Sequence, residues 1–423
     1  MKLQPIVVVP FASEIHGKEY YVAILDIISR YLSKYRIELH SSIVTDVDDA
    51  EKIGKKYSQF LPVAIALTGG TSKLIDSFVD GGGYERLIIF AHSEHNSLAS
   101  AISSRNKAER KGVISLIYHC SDITSSICIN VIDRMIRVAR AVAYIIGLKV
   151  GVIADKAVKE DVEETFESKF RASIVVKTID EFLGDIEMVS KDEVDKVVEK
   201  IAKSLKIESS TLYLDKIAKL YLALRRFIDN EKLHAVTIDC FPFIMKSGIT
   251  PCISLALFNE EGIAAGCEAD LPSLLGLVLA RIITGRSGWI ANIVDAISDK
   301  LYLAHCTIAL DIVKNLNVVQ HFETGKPYAL VGEYIGDTVT LVSIDRDFIT
   351  AAIATGRVVA SGNLGLAVCR TQMMLELDYV VDLLPNIAPN NHHVVLYGDR
   401  RKELIEALYL LGLDVVEYKD MVI

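Results

Sequence analysis

The sequence predicts a multi-domain α/β protein, with parallel sheets first and antiparallel β-structure last. Three observations carry that prediction. Over the first 150 or so residues, short β-branched runs alternate with amphipathic stretches at βαβ spacing. The mean hydropathy is high (+0.33), as expected of strands buried on both faces. Beyond residue 317 the texture changes to Gly-punctuated runs in which Val, Thr and Tyr alternate, the mark of antiparallel strands.

In order, residues 6–9, 36–40, 62–67, 86–90 and 113–117 read as strands, with helices expected at 18–33, 46–57, 72–79 and 96–110. This order implies right-handed crossovers and a parallel sheet. A long helix at 123–146 leads into a buried strand at 149–154, where a second unit begins. In it, 191–208 reads as a solvated helix face, 210–229 as a helix and 234–239 as a strand. Residues 239–316 hold the densest cluster of Cys, Gly, Pro and acidic side chains and are expected to form functional loops. Antiparallel β-structure is expected at 323–344 and 357–375, then strand 393–397, helix 400–411 and strand 413–418. The expected domains are 1–147, 148–316 and 317–423.

With 423 residues, 51% of them hydrophobic, the chain can fill several cores of about 100–200 residues each. A formal charge of −9 argues against a nucleic-acid or anionic-membrane binder. No apolar run reaches the roughly 18 residues a membrane span needs, and the first residues carry no cleavage signal. Seven scattered cysteines without a CxxC pair suggest buried thiols in a reducing cytoplasm rather than a disulfide framework or structural zinc.

The chemistry concentrates in Gly266-Cys267-Glu268-Ala269-Asp270-Leu271-Pro272. If the segment is extended, Glu268 and Asp270 share a face and could hold a divalent cation or act as an acid and a base. The alternative is a capping Asp270 at a helix start and a surface Glu268. His305, among small and apolar neighbours, is either a ligand or a satisfied core histidine. His392 and His393 open a strand, so at most one of them should face a common site. Thr68-Gly69-Gly70-Thr71 and the loop from His92 to Asn96 leave strand ends, where open α/β sheets place ligands.

Taken together and in order, these pieces resemble the L-fucose/L-arabinose isomerase superfamily. The resemblance runs through Thr68–Thr71, Asn96–Ala101, Thr237–Phe241 and Thr250-Pro251-Cys252. It continues through Gly266–Asp270, Ala304-His305-Cys306, Cys369-Arg370-Thr371-Gln372 and Asn391-His392-His393, with Gly398-Asp399 following. It implies two Rossmann-like parallel-sheet domains followed by a C-terminal domain with an antiparallel β-barrel. It also implies a homo-oligomer (trimer or hexamer) and a small-molecule carbohydrate as the ligand. The implied activity is metal-dependent aldose–ketose isomerisation through an enediol, with Mn²⁺ or a similar ion. The alternative is a non-catalytic or regulatory sugar-binding protein on the same fold.

On that resemblance Glu268, His305 and one of His393 and His392, with His393 slightly preferred, are the expected metal ligands. Asn292 stands where the family carries a second carboxylate. An amide can offer its carbonyl to a metal but cannot accept a proton, so Asp270, Asp239 or Asp295 would have to serve beside Glu268 as the base. Thr68, Gly69, Gly70, Asn96 and Arg370 are the expected sugar contacts.

Overall fold

The computed structural model describes residues 3–35, 37–155 and 160–421. They form two compact units. The first runs to Ile146 and takes in Glu406–Gly412; the second runs from Gly147 to Ile405 and resumes at Leu413.

The first unit is built from β1 (Ile6–Phe11), α1 (Lys18–Leu32), β2 (Glu38–Leu39), α2 (Val47–Lys56), β3 (Leu61–Ala66), α3 (Ser72–Gly82), β4 (Arg86–His92), α4 (Ser97–Arg110), β5 (Ile114–Cys120) and α5 (Ser126–Ile145). All five strands are parallel, in the order β2-β1-β3-β4-β5. Every residue of β1 and β3 is buried, because helices cover both faces; such strands read as continuous apolar runs. The strand expected at 36–40 shrinks to β2, and its first residue, Arg36, lies outside the described residues. Helices α2 and α3 approach so closely that a Cβ on Gly54 would stand 2.2 Å from the Phe78 carbonyl oxygen, and one on Gly81 2.2 Å from that of Glu51.

The expectation of thiols throughout needs correction at one place. Cys120 ends β5 and Cys128 lies in the first turn of α5; the short turn between them brings their Cα atoms to 5.1 Å, and they form a disulfide. The other five cysteines are free.

The second unit opens with β6 (Lys149–Ala154), α6 (Asp161–Phe170), β7 (Ser173–Thr178), α7 (Ile179–Glu187), α8 (Lys191–Leu205), α9 (Leu214–Glu231), β8 (Ala235–Ile238), α10 (Cys240–Ser247), α11 (Cys252–Glu260), β9 (Ala264–Cys267) and α12 (Leu271–Thr284). Its parallel sheet has the order β7-β6-β8-β9. The polar stretch near 200 is more than a solvated face: α8 buries Val194, Ile201, Ala202 and Leu205.

The chain then enters β-structure at β10 (Trp289–Ile297) and β11 (Lys300–His305). These are followed by β12 (Val313–Gln320), β13 (Pro327–Tyr334), β14 (Thr338–Ile344), β15 (Thr350–Gly362), β16 (Thr371–Glu376), the short α13 (Leu384–Ile387) and β17 (His392–Tyr397). Strands β14-β17-β10-β11-β16-β15 form one antiparallel sheet, and β14 pairs back onto β15. The result is a closed six-stranded barrel. Strands β12 and β13 form a separate hairpin. Helix α14 (Arg401–Leu410), β18 (Asp414–Glu417), which adds in parallel to β15, and α15 (Tyr418–Met421) end the described chain.

The barrel therefore begins at Trp289, ahead of the expected limit at 317. Strand β10 has a register shift between Ile293 and Asp295, and a bulge breaks the alternation by which a strand is read. Helix α12 is apolar nearly all round and is buried from Leu271 to Ala280. It packs against β8 and β9 on one side and β14 and β17 on the other, so it joins the parallel sheet to the barrel and accounts for much of the high hydropathy. Among the described residues no helix is long and apolar enough to cross a membrane.

Candidate metal centre

Strand β9 ends at Cys267, and the chain does not continue extended. Glu268 (φ +61°) and Ala269 (φ +50°) are both left-handed, a conformation that costs an L-residue about 1–2 kcal/mol. Asp270 then caps α12, accepting hydrogen bonds from the Ser273 amide at 3.0 Å and the Ser273 hydroxyl at 2.6 Å. The extended segment with two carboxylates on one face is thus corrected: the turn separates them, and a histidine brings them back together.

That histidine is His392, the first residue of β17. Its Nδ1 lies 2.7 Å from Asp270 Oδ2, and its Nε2 lies 3.5 Å from Glu268 Oε2. The other Glu268 oxygen lies 3.5 Å from Nε2 of His305, the last residue of β11. Both imidazoles are buried, and one donor atom from each of Glu268, His305 and His392 fits within 4.8 Å of the others. Ligands bonded to one ion at about 2.0–2.3 Å stand roughly 3–3.5 Å apart, so the two 3.5 Å separations suit a shared cation. His392 Nε2 is buried and has no hydrogen-bond partner. A nitrogen left so is costly unless something fills the space before it, and with the Glu268 oxygens 3.5 Å from both imidazoles that space could take a cation.

Burial works against the charge on Asp270, yet the hydrogen bond and positive charge of His392, with the two Ser273 donors, hold its carboxyl below 3.8. Burial likewise disfavours charge on His392, but Asp270 and then Glu268 raise it above 6.5. Glu268 is also held below its usual value; burial opposes its charge, and the two histidines outweigh it. The lowered Asp270 contributes stability above pH 3.8 that is lost as pH falls through its folded value. The raised His392 contributes stability below pH 6.5 that is lost as pH rises through its folded value. The metal-free protein and its Asp270→Asn variant should therefore differ most in Tm between those two values, with a smaller gap on either side. A gap that stays constant from about pH 3 to 9 would sink this assignment.

His393, the slightly preferred ligand, points the other way. Its Nε2 is 2.8 Å from the Tyr418 hydroxyl, it is fully buried, and burial pushes it down to about 4. Strand alternation permits one histidine at the site, and the structure brings His392 there. Asn292 lies opposite His392 in the sheet, but its carbonyl oxygen accepts from Asn391 Nδ2 at 3.1 Å.

Two adjoining cavities open over Glu268. One, of 240 Å³, includes Asp270, His392, Asn390 and Asn391 in its wall; the other, of 250 Å³, includes Asp239, Asp155 and Glu163. Val162, Glu268, Ala269 and Arg346 line both. Arg346 belongs to no motif singled out in the sequence. Arg370 is hydrogen-bonded to the Gln320 carbonyl at 2.8 Å and lies over the Phe322 ring; it lines neither cavity.

Within the first unit, the expected sugar contacts gather at the carboxyl ends of β3 and β4. Thr68 Oγ1 accepts from the Ser13 amide at 2.8 Å and the Gly69 amide donates to the His95 carbonyl at 2.6 Å. Gly70 (φ +76°) and Asn96 (φ +57°) are left-handed. The strand order reverses between β1 and β3, the place where such sheets bind ligands.

No family model matches the chain. Over 182 residues the chain is 23% identical to sulfoquinovose isomerases of Priestia aryabhattai and Priestia megaterium, a stretch that is 41% of this chain and 41% of each relative. Over 97 residues, 22% of each chain, it is 29% identical to a sulfoquinovose isomerase of Alkalicoccus urumqiensis. The chain thus spans about two fifths of the length of the first two relatives.

Proposed function

We propose that this chain is an aldose–ketose isomerase for a sugar, with a divalent ion held by Glu268, His305 and His392. The observation that supports it most is the buried, unpartnered Nε2 of His392 beside Glu268 and His305. The relatives' names add a sugar isomerase reaction, with sulfoquinovose as the first substrate to try. Asp270 fixes the His392 ring so that Nδ1 carries the proton and Nε2 offers its lone pair, the usual partnership of a carboxylate behind a ligating histidine. An imidazole–carboxylate set suits a divalent transition-metal ion, and Mn²⁺ is the one the family resemblance implies. Such an ion would polarise the carbonyl and hydroxyl oxygens of the sugar.

The proton must move between adjacent sugar carbons, and that calls for a base of this chain. Asp270 is poorly suited, since His392 and Ser273 occupy it and hold it ionised. Asp239 lines the cavity beside Glu268 and is the better placed; it would take the proton from the carbon next to the carbonyl and return it to the former carbonyl carbon, while the proton of the adjacent hydroxyl passes to the former carbonyl oxygen. Asn292 cannot do this.

Asn292, where the resemblance puts a carboxylate, also favours a second reading, a sugar-binding protein without turnover. One experiment separates the two: metal analysis and Mn²⁺ titration of the full chain, followed by a screen of aldoses and ketoses that includes sulfoquinovose. Mn²⁺ uptake with interconversion of any sugar supports the isomerase. Sugar binding without turnover supports the second reading, and no metal uptake with no turnover rejects the isomerase.

A further inference from the structure

Among the described residues, Arg346 is the one lysine or arginine that lines the two cavities over Glu268. Facing it are Asp155, Glu160, Glu163, Asp239 and Glu268. Lys246, from α10, offsets Asp155 with a contact at 2.9 Å. A wall of carboxylates accepts a cation and neutral hydroxyls, and the Arg346 guanidinium gives an anion a place on it. There the wall changes character: the 240 Å³ cavity turns from carboxylates to the side chains of Asn390 and Asn391.

Arg346 is not locked in place. It is anchored in the β14–β15 turn, and its guanidinium lies 3.6 Å from Glu160, with 72% of the Arg346 side chain and 55% of the Glu160 side chain exposed. An exposed pair of that length contributes little, so exchanging Glu160 for a ligand anion costs little. A planar guanidinium binds a sulfonate or phosphate through two parallel hydrogen bonds.

We propose that Arg346 receives an anionic group, a sulfonate or a phosphate, on the end of the sugar remote from the reacting carbons, and so selects anionic over neutral substrates. This rests on the isomerase reading for what the sugar does, but not for how it is held. The ligand would lie with its carbonyl end toward Glu268 and its charged end toward Arg346 and the two asparagines. The choice between neutral and charged sugars would then be made by a residue that touches neither reacting carbon.

The test uses the full-length, Mn²⁺-loaded protein and its Arg346→Ala and Arg346→Lys variants. Calorimetry gives Kd for sulfoquinovose, glucose 6-phosphate and glucose, and a separate assay follows their isomerisation. The wild type should bind one or both anionic sugars more tightly than glucose by on the order of 10- to 100-fold, as charged hydrogen bonds generally give. Which anionic sugar binds identifies the group. In Arg346→Ala that ratio should fall to near one, and Arg346→Lys should restore part of it. Equal binding of charged and neutral sugars by the wild type, binding of none of them, or a ratio that survives Arg346→Ala overturns the proposal. The two readings fail separately: a ratio lost in Arg346→Ala without any turnover upholds the anion site and removes the isomerase, whereas turnover of glucose without any preference does the reverse.

Discussion

Glu268→Gln and His392→Gln should each lower Mn²⁺ affinity by at least about 100-fold and abolish isomerisation, whereas His393→Gln should leave affinity within about threefold. Glutamine in place of Glu268 keeps the shape but removes the charge that faces both imidazoles, and a hard divalent ion loses its one anionic ligand. Glutamine at 392 removes the buried Nε2 and strands Asp270, which then keeps only Ser273. His393 donates or accepts toward Tyr418 on the opposite side of β17, so its loss should appear as lower stability. Calorimetric titration with Mn²⁺, alongside melting curves, separates these outcomes. If His393→Gln removes metal binding while His392→Gln does not, the assignment is reversed and the site must be redrawn.

Gly54→Ala should destabilise the first unit by about 3 kcal/mol, although alanine is the better helix former by about 1 kcal/mol. The new Cβ would lie 2.2 Å from the Phe78 carbonyl oxygen and 2.8 Å from the Gly82 amide nitrogen. Both are backbone atoms of α3, so no side chain can swing aside; the two helices must move apart and lose packing along their whole contact. Gly184 in α7 is the control, exposed and with nothing within 4 Å of an added Cβ. Gly184→Ala meets only the propensity term and should stabilise by up to about 1 kcal/mol. Urea unfolding followed by far-UV circular dichroism measures both. Opposite signs are the prediction's core: if the two variants shift the midpoint alike, close helix contact at Gly54 is not what that glycine is for.

The sequence allowed the first parallel unit to be read because its order rests on local periodicity, which each segment carries by itself; in the second, β7 and β9 went unread. The alternation of buried runs and amphipathic stretches before Ile146 needed no tertiary information. The barrel's start did need it. Strand β10 mixes Asn292 and Asp295 with apolar residues and contains a bulge, so nothing local marks it as a wall of a closed sheet. The site shows the same division. Glu268 and His305 had two readings each from their own segments and were paired only through the family resemblance, while strand geometry limited the two adjacent histidines to one. Which one depends on the pairing of β17 with β10 and β14, a property of neighbours far away in the chain. Of the two readings of Asp270 the cap is the one seen: one oxygen accepts from the Ser273 amide and the other from the Ser273 hydroxyl, and that second oxygen also meets His392 Nδ1. Arg346 had no signal at all. A lone arginine in a turn acquires meaning only from the cavity that surrounds it.

The three donors come from the end of a parallel strand and from the last and first residues of two barrel strands. An ion held by them would be a staple across long loops of chain, drawing its effect largely from the unfolded ensemble, whose ends it keeps from wandering. Saturation at a hundred times Kd would add about 2.7 kcal/mol to folding stability. Starving the protein of metal would then do more than idle it. The junction between the parallel sheet and the barrel would become the first place to open, and a protease given time would find Ala269 and its neighbours before it found either core.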